Sequence, residues 1–271
     1  KGVIVVSRGE GPLVGPDEGG DEPVAIAKRL PAVPVVAAER RVEGAQAAIE
    51  LGTDVILLDD GYQHLALDRD VNLLLLDAAD PFGGGRLPPS GRLREPLSAL
   101  ARADAVVFTR ANRGDPSATA RAALDRWNPG VPTFSARIRA AGLRDEQGAA
   151  VPSARLSARR FVAVCGIANP ASFTATLAEL DLSAEEVLAF RDHHRYTRRD
   201  LERIRRAADR TGSAWILTTE KDSVKLEGKT LLPVVTVRLD VEVAEPEFFP
   251  FLLSRISGEP ERPRTASARP T

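Results

Sequence analysis

Cysteine occurs once in this 271-residue chain, at Cys165, and methionine does not occur at all. A single cysteine excludes an intrachain disulfide, and the default expectation is a reducing, cytoplasmic setting. No stretch approaches the roughly 20 apolar residues that a membrane-crossing helix requires. The apolar runs, such as Val55–Leu58 and Leu73–Leu76, have strand length. A charged-then-apolar leader is also missing. Instead the sequence runs from Lys1 straight into Gly2-Val3-Ile4-Val5-Val6, which reads as a buried strand, and an N-terminal piece preceding it is expected. Neither sign of charge is in excess: 37 basic against 38 acidic side chains give a net −1. That balance provides no general attraction to nucleic acid, so an anionic partner has to be met by a local patch. Finally, the phosphate-binding pattern G-x-x-x-x-G-K-[ST] occurs nowhere in the chain.

What is present suffices for a folded core, since 43% of the residues are hydrophobic. Short apolar runs alternate with helical patterns. Val3–Ser7, Pro34–Ala37, Asp54–Asp59, Asn72–Asp77 and Ala105–Thr109 are predicted strands, with helices over Pro23–Leu30 and Glu39–Leu51. The second helix puts Val42, Ala45 and Ile49 on one face and stops at Gly52. Apolar runs without alternation suit strands covered on both faces, and their alternation with helices implies βαβ units. The predicted fold class is therefore α/β, a doubly wound, mainly parallel sheet. A second strand set follows at Phe161–Gly166, Val187–Phe190, Trp215–Thr219 and Val234–Val243, after a polar, turn-rich section around residues 141–159. This predicts a first domain over residues 1–150, a smaller α/β domain over 151–256, and a disordered tail over 257–271 rich in Pro, Arg, Ser and Thr.

Several segments could carry chemistry. Val55-Ile56-Leu57-Leu58-Asp59-Asp60-Gly61-Tyr62-Gln63-His64 reads as a strand delivering Asp59 and Asp60 to the carboxyl edge of a sheet, where magnesium beside a nucleotide needs one or two carboxylates. A strand closed by an Asp-Gly turn explains the same residues. In Gly19-Gly20-Asp21-Glu22-Pro23, Asp21 suits either a helix cap or a general base for a hydroxyl. Gly83-Gly84-Gly85-Arg86 and Gly91-Arg92-Leu93-Arg94 form a glycine-rich loop whose arginines suit an anionic substrate or plain solvent. Phe190-Arg191-Asp192-His193-His194 sets a carboxylate beside an imidazole. With no further Cys or His cluster, the two histidines do not make a metal site. Thr197 and Asp200 form a capping-box pattern, and residues 191–210 hold eight arginines against four acidic residues, a solvated helix face or a contact for an anionic membrane surface. Thr218-Thr219-Glu220-Lys221-Asp222, with Lys225 nearby, is a polar cluster at a strand end that either faces a nucleotide or closes on itself in salt bridges.

Taken in order, Ser7-Arg8-Gly9, Gly20-Asp21-Glu22-Pro23, Asp59-Asp60-Gly61-Tyr62-Gln63-His64, Gly91-Arg92-Leu93 with Leu93-Arg94-Glu95-Pro96-Leu97, Gly166-Ile167-Ala168-Asn169-Pro170, Asp192-His193-His194 and Thr219-Glu220-Lys221-Asp222 resemble the tetraacyldisaccharide 4'-kinase family. The resemblance runs from Gly2 to about Leu253. It implies a P-loop-kinase-like fold using ATP and Mg2+ to phosphorylate the 4'-hydroxyl of a lipid A disaccharide precursor. The expected setting is the cytoplasmic face of the inner membrane, peripherally bound, with no nucleic acid and no obligate protein partner. It further implies Asp21 as base with His193 from the second domain, a placement that suggests closure over the substrates. Asp59 and Asp60 would serve the magnesium, Glu220, Lys221 and Asp222 the nucleotide, and Gln63, His64, Arg86, Arg94 and Asn169 the substrate. By residue type alone, His194 is as eligible as His193.

Three departures accompany the resemblance. Glu10 stands where the family has an aromatic, and Gly83-Gly84-Gly85-Arg86 replaces a Gly-Asn-Gly-Arg loop. The family's phosphate loop and membrane-seeking helix are expected before Gly2, and without that loop turnover by these residues alone should be negligible. Two alternatives follow: a glycolipid-binding paralogue without catalysis, and a kinase or ATPase of the same fold acting on another substrate.

Overall fold

The computed structural model describes residues 2–257 apart from 115, 117, 158 and 159, so the predicted tail lies outside the described residues except for Ser257. In chain order the elements are β1 (Val3–Arg8), α1 (Pro16–Gly19), α2 (Asp21–Arg29), β2 (Pro34–Ala38), α3 (Arg41–Glu50), β3 (Leu73–Asp77), β4 (Ala105–Thr109), α4 (Ala118–Trp127), β5 (Thr133–Arg144), β6 (Ala150–Val151) and α5 (Ser153–Ser157). There follow β7 (Phe161–Cys165), α6 (Pro170–Glu179), β8 (Glu186–Ala189), α7 (Arg198–Thr211), β9 (Trp215–Thr219), α8 (Glu220–Leu226), β10 (Val234–Val243) and α9 (Phe248–Ile256). Their contacts group them into two compact units, each discontinuous in sequence: Lys1–Leu57 with Ile138–Val241, and Leu58–Arg137 with Glu242–Thr271. The sequence suggests one cut near residue 150; the contact boundary instead falls within the long strand β5.

In the first unit β10, β9, β7 and β8 lie side by side, all parallel. The runs of β7 and β9 are free of alternation because both of their faces are covered. Phe161, Ala163, Leu217, Val235, Phe173 and Leu177 fill one side, while Val162, Val164, Ile216, Ile204 and Ala208 fill the other. β1 and β2 form a separate antiparallel pair. Val6 on β1 and Val24 and Ala27 on α2 pack with Val224 of α8, and this apolar contact sets α2 beside α8.

The second unit holds the parallel set β3, β4 and the start of β5. Leu76, Phe82, Leu100, Val106, Phe108 and Leu124 make its core, and Phe134 packs edge-on against Phe248 of α9 at 5.1 Å.

The strand predicted over Asp54–Asp59 is not formed: residues 55–58 carry no regular structure, and Leu57 is 90% exposed. β-propensity measures how well a side chain fits a paired, half-covered surface, and among the described residues no strand lies beside this run. Elsewhere the punctuation residues act as expected. Gly52 follows α3 at φ +79°, and Thr197 and Asp200 close a complete capping box at the start of α7.

Candidate active site

The first unit gathers one charged cluster at the start of α2 and along α8. Asp21 does not cap its helix; the preceding Gly20 is the N-cap, and no side-chain cap bond is made there. The carboxylate reaches outward instead. Oδ1 lies 3.2 Å from His193 Nδ1, and Oδ2 accepts a hydrogen bond from Lys225 Nζ at 3.3 Å. His193 and Asp21 thus meet within a single compact unit, brought together by the packing of α2 on α8. His193, in the loop after β8, stands at φ +55°, in the left-handed region that few non-glycine residues adopt.

Lys225 is buried, and Nζ also lies 2.9 Å from Asp222 Oδ1, with the Tyr196 ring centroid 5.6 Å away. Asp222 is fully buried. It accepts bonds from the Gly166 amide and the Thr219 hydroxyl, both at 2.8 Å. Gly166 fits closely here: a Cβ would stand 3.0 Å from Asp222 Oδ1 and 3.2 Å from the Arg191 carbonyl oxygen, so a side chain would force its neighbours to give by a few tenths of an ångström. Lys221 spends its three protons on Glu22 Oε1 at 3.0 Å, Asp192 Oδ1 at 3.0 Å and His193 Nε2 at 3.1 Å. Glu220 is paired with Arg29 at 2.8 Å.

Burial works to raise the Asp21 pKa, but the Lys225 ammonium together with His193 outweighs it and holds the carboxyl below its ordinary value. Asp21 is therefore ionised at neutral pH.

The structure also separates the two histidines. His194 stacks on Phe190 at 4.7 Å, and its Nε2 lies 3.1 Å from Asp200 Oδ2 in the capping box of α7. It is a packed side chain, while His193 faces Asp21. Asn169 caps α6, accepting from the Ser172 amide at 3.3 Å, with its side chain at the surface.

The second unit carries the acidic turn. Asp59 and Asp60 are exposed, and Asp60 sits at φ +51°. Both Asp60 oxygens accept from Arg94 Nη1 at 2.6 Å, and Gln63 Oε1 lies 3.4 Å from the same nitrogen. Arg69 ties the turn from beneath, donating to the Gly61 and His64 carbonyls at 2.6 and 2.7 Å. Tyr62 anchors it to the core through a 2.7 Å bond to the Ala99 carbonyl. His64 is half-buried, and Arg86 is exposed on the glycine-rich loop. Gly91 lets that loop fold back, because a Cβ there would stand 2.2 Å from the Arg86 carbonyl oxygen.

These motifs can be matched beyond the chain itself. The family model for tetraacyldisaccharide-1-P 4'-kinase (LpxK) matches residues 1–257. The chain belongs to this family. A tetraacyldisaccharide 4'-kinase of Anaeromyxobacter sp. (strain K) is 40% identical over 255 residues, covering 88% of this chain and 65% of that protein. One from Anaeromyxobacter dehalogenans (strain 2CP-1 / ATCC BAA-258) is 44% identical over 228 residues, covering 82% of this chain and 60% of its own length. The chain thus spans less than two thirds of these curated relatives. A crystal structure of LpxK from Aquifex aeolicus in complex with ATP shares 33% identity and a TM-score of 0.72, covering 94% of this chain and 75% of that one. The tetraacyldisaccharide 4'-kinase fold is therefore the fold of this chain, a mostly parallel α/β architecture of P-loop-kinase type.

The sequence marks the ends of this arrangement better than its middle. Lys225 is only a neighbour of the Thr-Glu-Lys-Asp motif, yet it bridges Asp21 and Asp222. Its spacing of four from Lys221 on a short helix is the available signal, since i and i+4 share a face. Arg69 had no motif to mark it.

Proposed function

We propose that this chain belongs to an enzyme that transfers the γ-phosphoryl group of ATP to the 4'-hydroxyl of a tetraacylated glucosamine disaccharide in lipid A biosynthesis. The observation that carries this reading is the ionised Asp21 carboxylate, held between His193 and Lys225 in a chain of this family. Asp21 is the general base that takes the proton of the sugar hydroxyl, and His193 orients it. Asp59 and Asp60 would hold Mg2+. Exposed carboxylate oxygens are the ligands that ion prefers, and the Arg94 partner of Asp60 is a surface pair that exchanges at little cost. Magnesium would neutralise charge on the transferring phosphoryl group. Gln63, His64, Arg86, Arg94 and Asn169 serve the acceptor, with the arginines reading its anionic groups. Helix α8, which the family resemblance assigns to the nucleotide, is here assigned to the base and its partner, because Glu220, Lys221 and Asp222 are already engaged there.

The acceptor is a membrane lipid, and we place the protein peripherally at the cytoplasmic face of the inner membrane. Among the described residues no helix is long and apolar enough to cross a membrane. The arginine-rich outer face of α7 suits an anionic surface.

The test is phosphate transfer from labelled ATP to tetraacyldisaccharide 1-phosphate, using the protein expressed from its complete coding sequence. Product carrying phosphate at the 4'-position is expected. Binding of the glycolipid without transfer would favour a non-catalytic paralogue, and transfer to a different acceptor would move the activity elsewhere within the fold.

A further inference from the structure

The contacts of His193 carry more than its pairing with Asp21. Its two ring nitrogens have hydrogen-bond partners of opposite kind: Nδ1 meets the Asp21 carboxylate at 3.2 Å, and Nε2 meets the Lys221 ammonium at 3.1 Å, with Asp192 Oδ2 farther off at 4.0 Å. A carboxylate only accepts and an ammonium only donates. The ring satisfies both only as the neutral tautomer with its proton on Nδ1 and a lone pair on Nε2.

We propose that Lys221 is a positioning residue that holds His193 in the Nδ1–H tautomer and closes Nε2 to protons, so that Asp21 is left as the base of the pair. The assignment of the base itself rests on the proposed function; the tautomer does not. Lys221 is well placed for the task. Glu22 and Asp192 fix its remaining two protons at 3.0 Å each, so the ammonium cannot swing away without losing charged partners. Burial works against its charge, but Glu22 and Asp192 overcome that and keep its pKa above the ordinary lysine value. It stays a donor at neutral pH. Asp192 also accepts the His193 backbone amide at 3.0 Å, which orients the ring toward both partners. The other charged groups in contact with the pair are Lys225, which meets Asp21, and Asp222 beyond it.

The consequence is chemical. An imidazole with a free Nε2 could itself take the hydroxyl proton, with Asp21 merely orienting it. With Nε2 occupied by an ammonium, that route is blocked, and the proton goes to the carboxylate.

Long-range 1H–15N NMR of the labelled chain reads the two ring nitrogens directly. The expected spectrum shows Nδ1 protonated and Nε2 in lone-pair form. Asp21→Ala removes the carboxylate but leaves Lys221, and the Nδ1–H pattern is expected to persist. Asp21→Ala with Lys221→Met is expected to shift to the Nε2–H-containing mixture of an unconstrained ring. Amide spectra of both variants establish that the fold is kept. If Asp21→Ala alone relaxes the ring to that mixture, or if the double variant keeps the Nδ1–H pattern, the role given to Lys221 is overturned. The base assignment is judged separately. Unchanged phosphate transfer in Asp21→Asn, with the tautomer pattern as expected, would overturn the base and leave the Lys221 inference standing.

Discussion

The two acidic sites of this chain are built in opposite ways. In the first unit Asp21 is only 14% exposed and lies between the His193 ring and the Lys225 ammonium, which is 9% exposed and itself anchored on a fully buried Asp222. In the second unit Asp60 and Arg94 are each 65% exposed and pair with one another, Arg94 also reaching Gln63. A group that accepts a proton gains from being fixed before the reaction, since reorganisation then costs nothing at the barrier. A group that receives a metal ion and a substrate has to give up its resting partner, and an exposed ion pair does so cheaply. The fold thus places rigidity at Asp21, the proposed base, and exchangeability at the acidic turn.

That contrast can be broken at several points. The largest expected effect is on rate: Asp21→Ala should lower kcat by about 10²–10⁴-fold in the transfer assay. A loss of less than tenfold would remove Asp21 from the mechanism. Next is stability. Lys225→Ala leaves the buried Asp222 carboxylate without its cation and should cost about 3–5 kcal/mol in chemical denaturation. Arg94→Ala breaks a surface pair and should cost no more than about 1 kcal/mol. Equal losses would erase the distinction between the two regions. The double change Lys225→Met with Asp222→Asn avoids the orphaned charge, and its transfer rate should show the acidic limb displaced to higher pH. The sign follows from Lys225, whose removal lets the Asp21 pKa rise, so that activity is lost earlier as pH falls.

A smaller effect sharpens the comparison from the other side. Asp60→Asn should raise the Mg2+ concentration for half-maximal transfer by about 10–100-fold, with little change in stability. The smallest expected effect is a control within the first unit. Thr197→Ala removes the cap of α7 and should cost about 1 kcal/mol. Hydrogen bonding from the Thr197 hydroxyl holds Asp200 down to about 2. Its contribution is therefore complete above the ordinary carboxylate range and fades as pH falls toward 2, and in Thr197→Ala that acid sensitivity should diminish.

Much of this architecture can be read from the sequence. Ala105–Thr109, Trp215–Thr219 and Val234–Val243 are strands over the predicted residues; their buried stretches, such as Ala105–Phe108 and Val234–Val237, lack polar alternation because both faces are covered. The box of Thr197 and Asp200 is local chemistry and is visible as such. Val55–Leu58 has the same composition as those strands and forms none, since pairing is a property of neighbours rather than of the run. The interior of the site is hidden for a related reason. A Lys and an Asp inside Thr219-Glu220-Lys221-Asp222 look like surface residues, and only the packing of Val224 against Val24 and Ala27 turns their helix inward. Which histidine meets Asp21 is equally a matter of tertiary placement.

The Asp222 carboxylate joins the amide of Gly166 to α8 across 56 residues of sequence. For anyone assembling chimaeras from members of this family, that bond defines an indivisible block. A crossover between positions 166 and 222 that brings in a side chain at the first, or a residue without a carboxyl or carboxamide oxygen at the second, leaves two loops misfitted at once. Exchange points outside that interval, or transfers of both motifs as one cassette, should recombine cleanly.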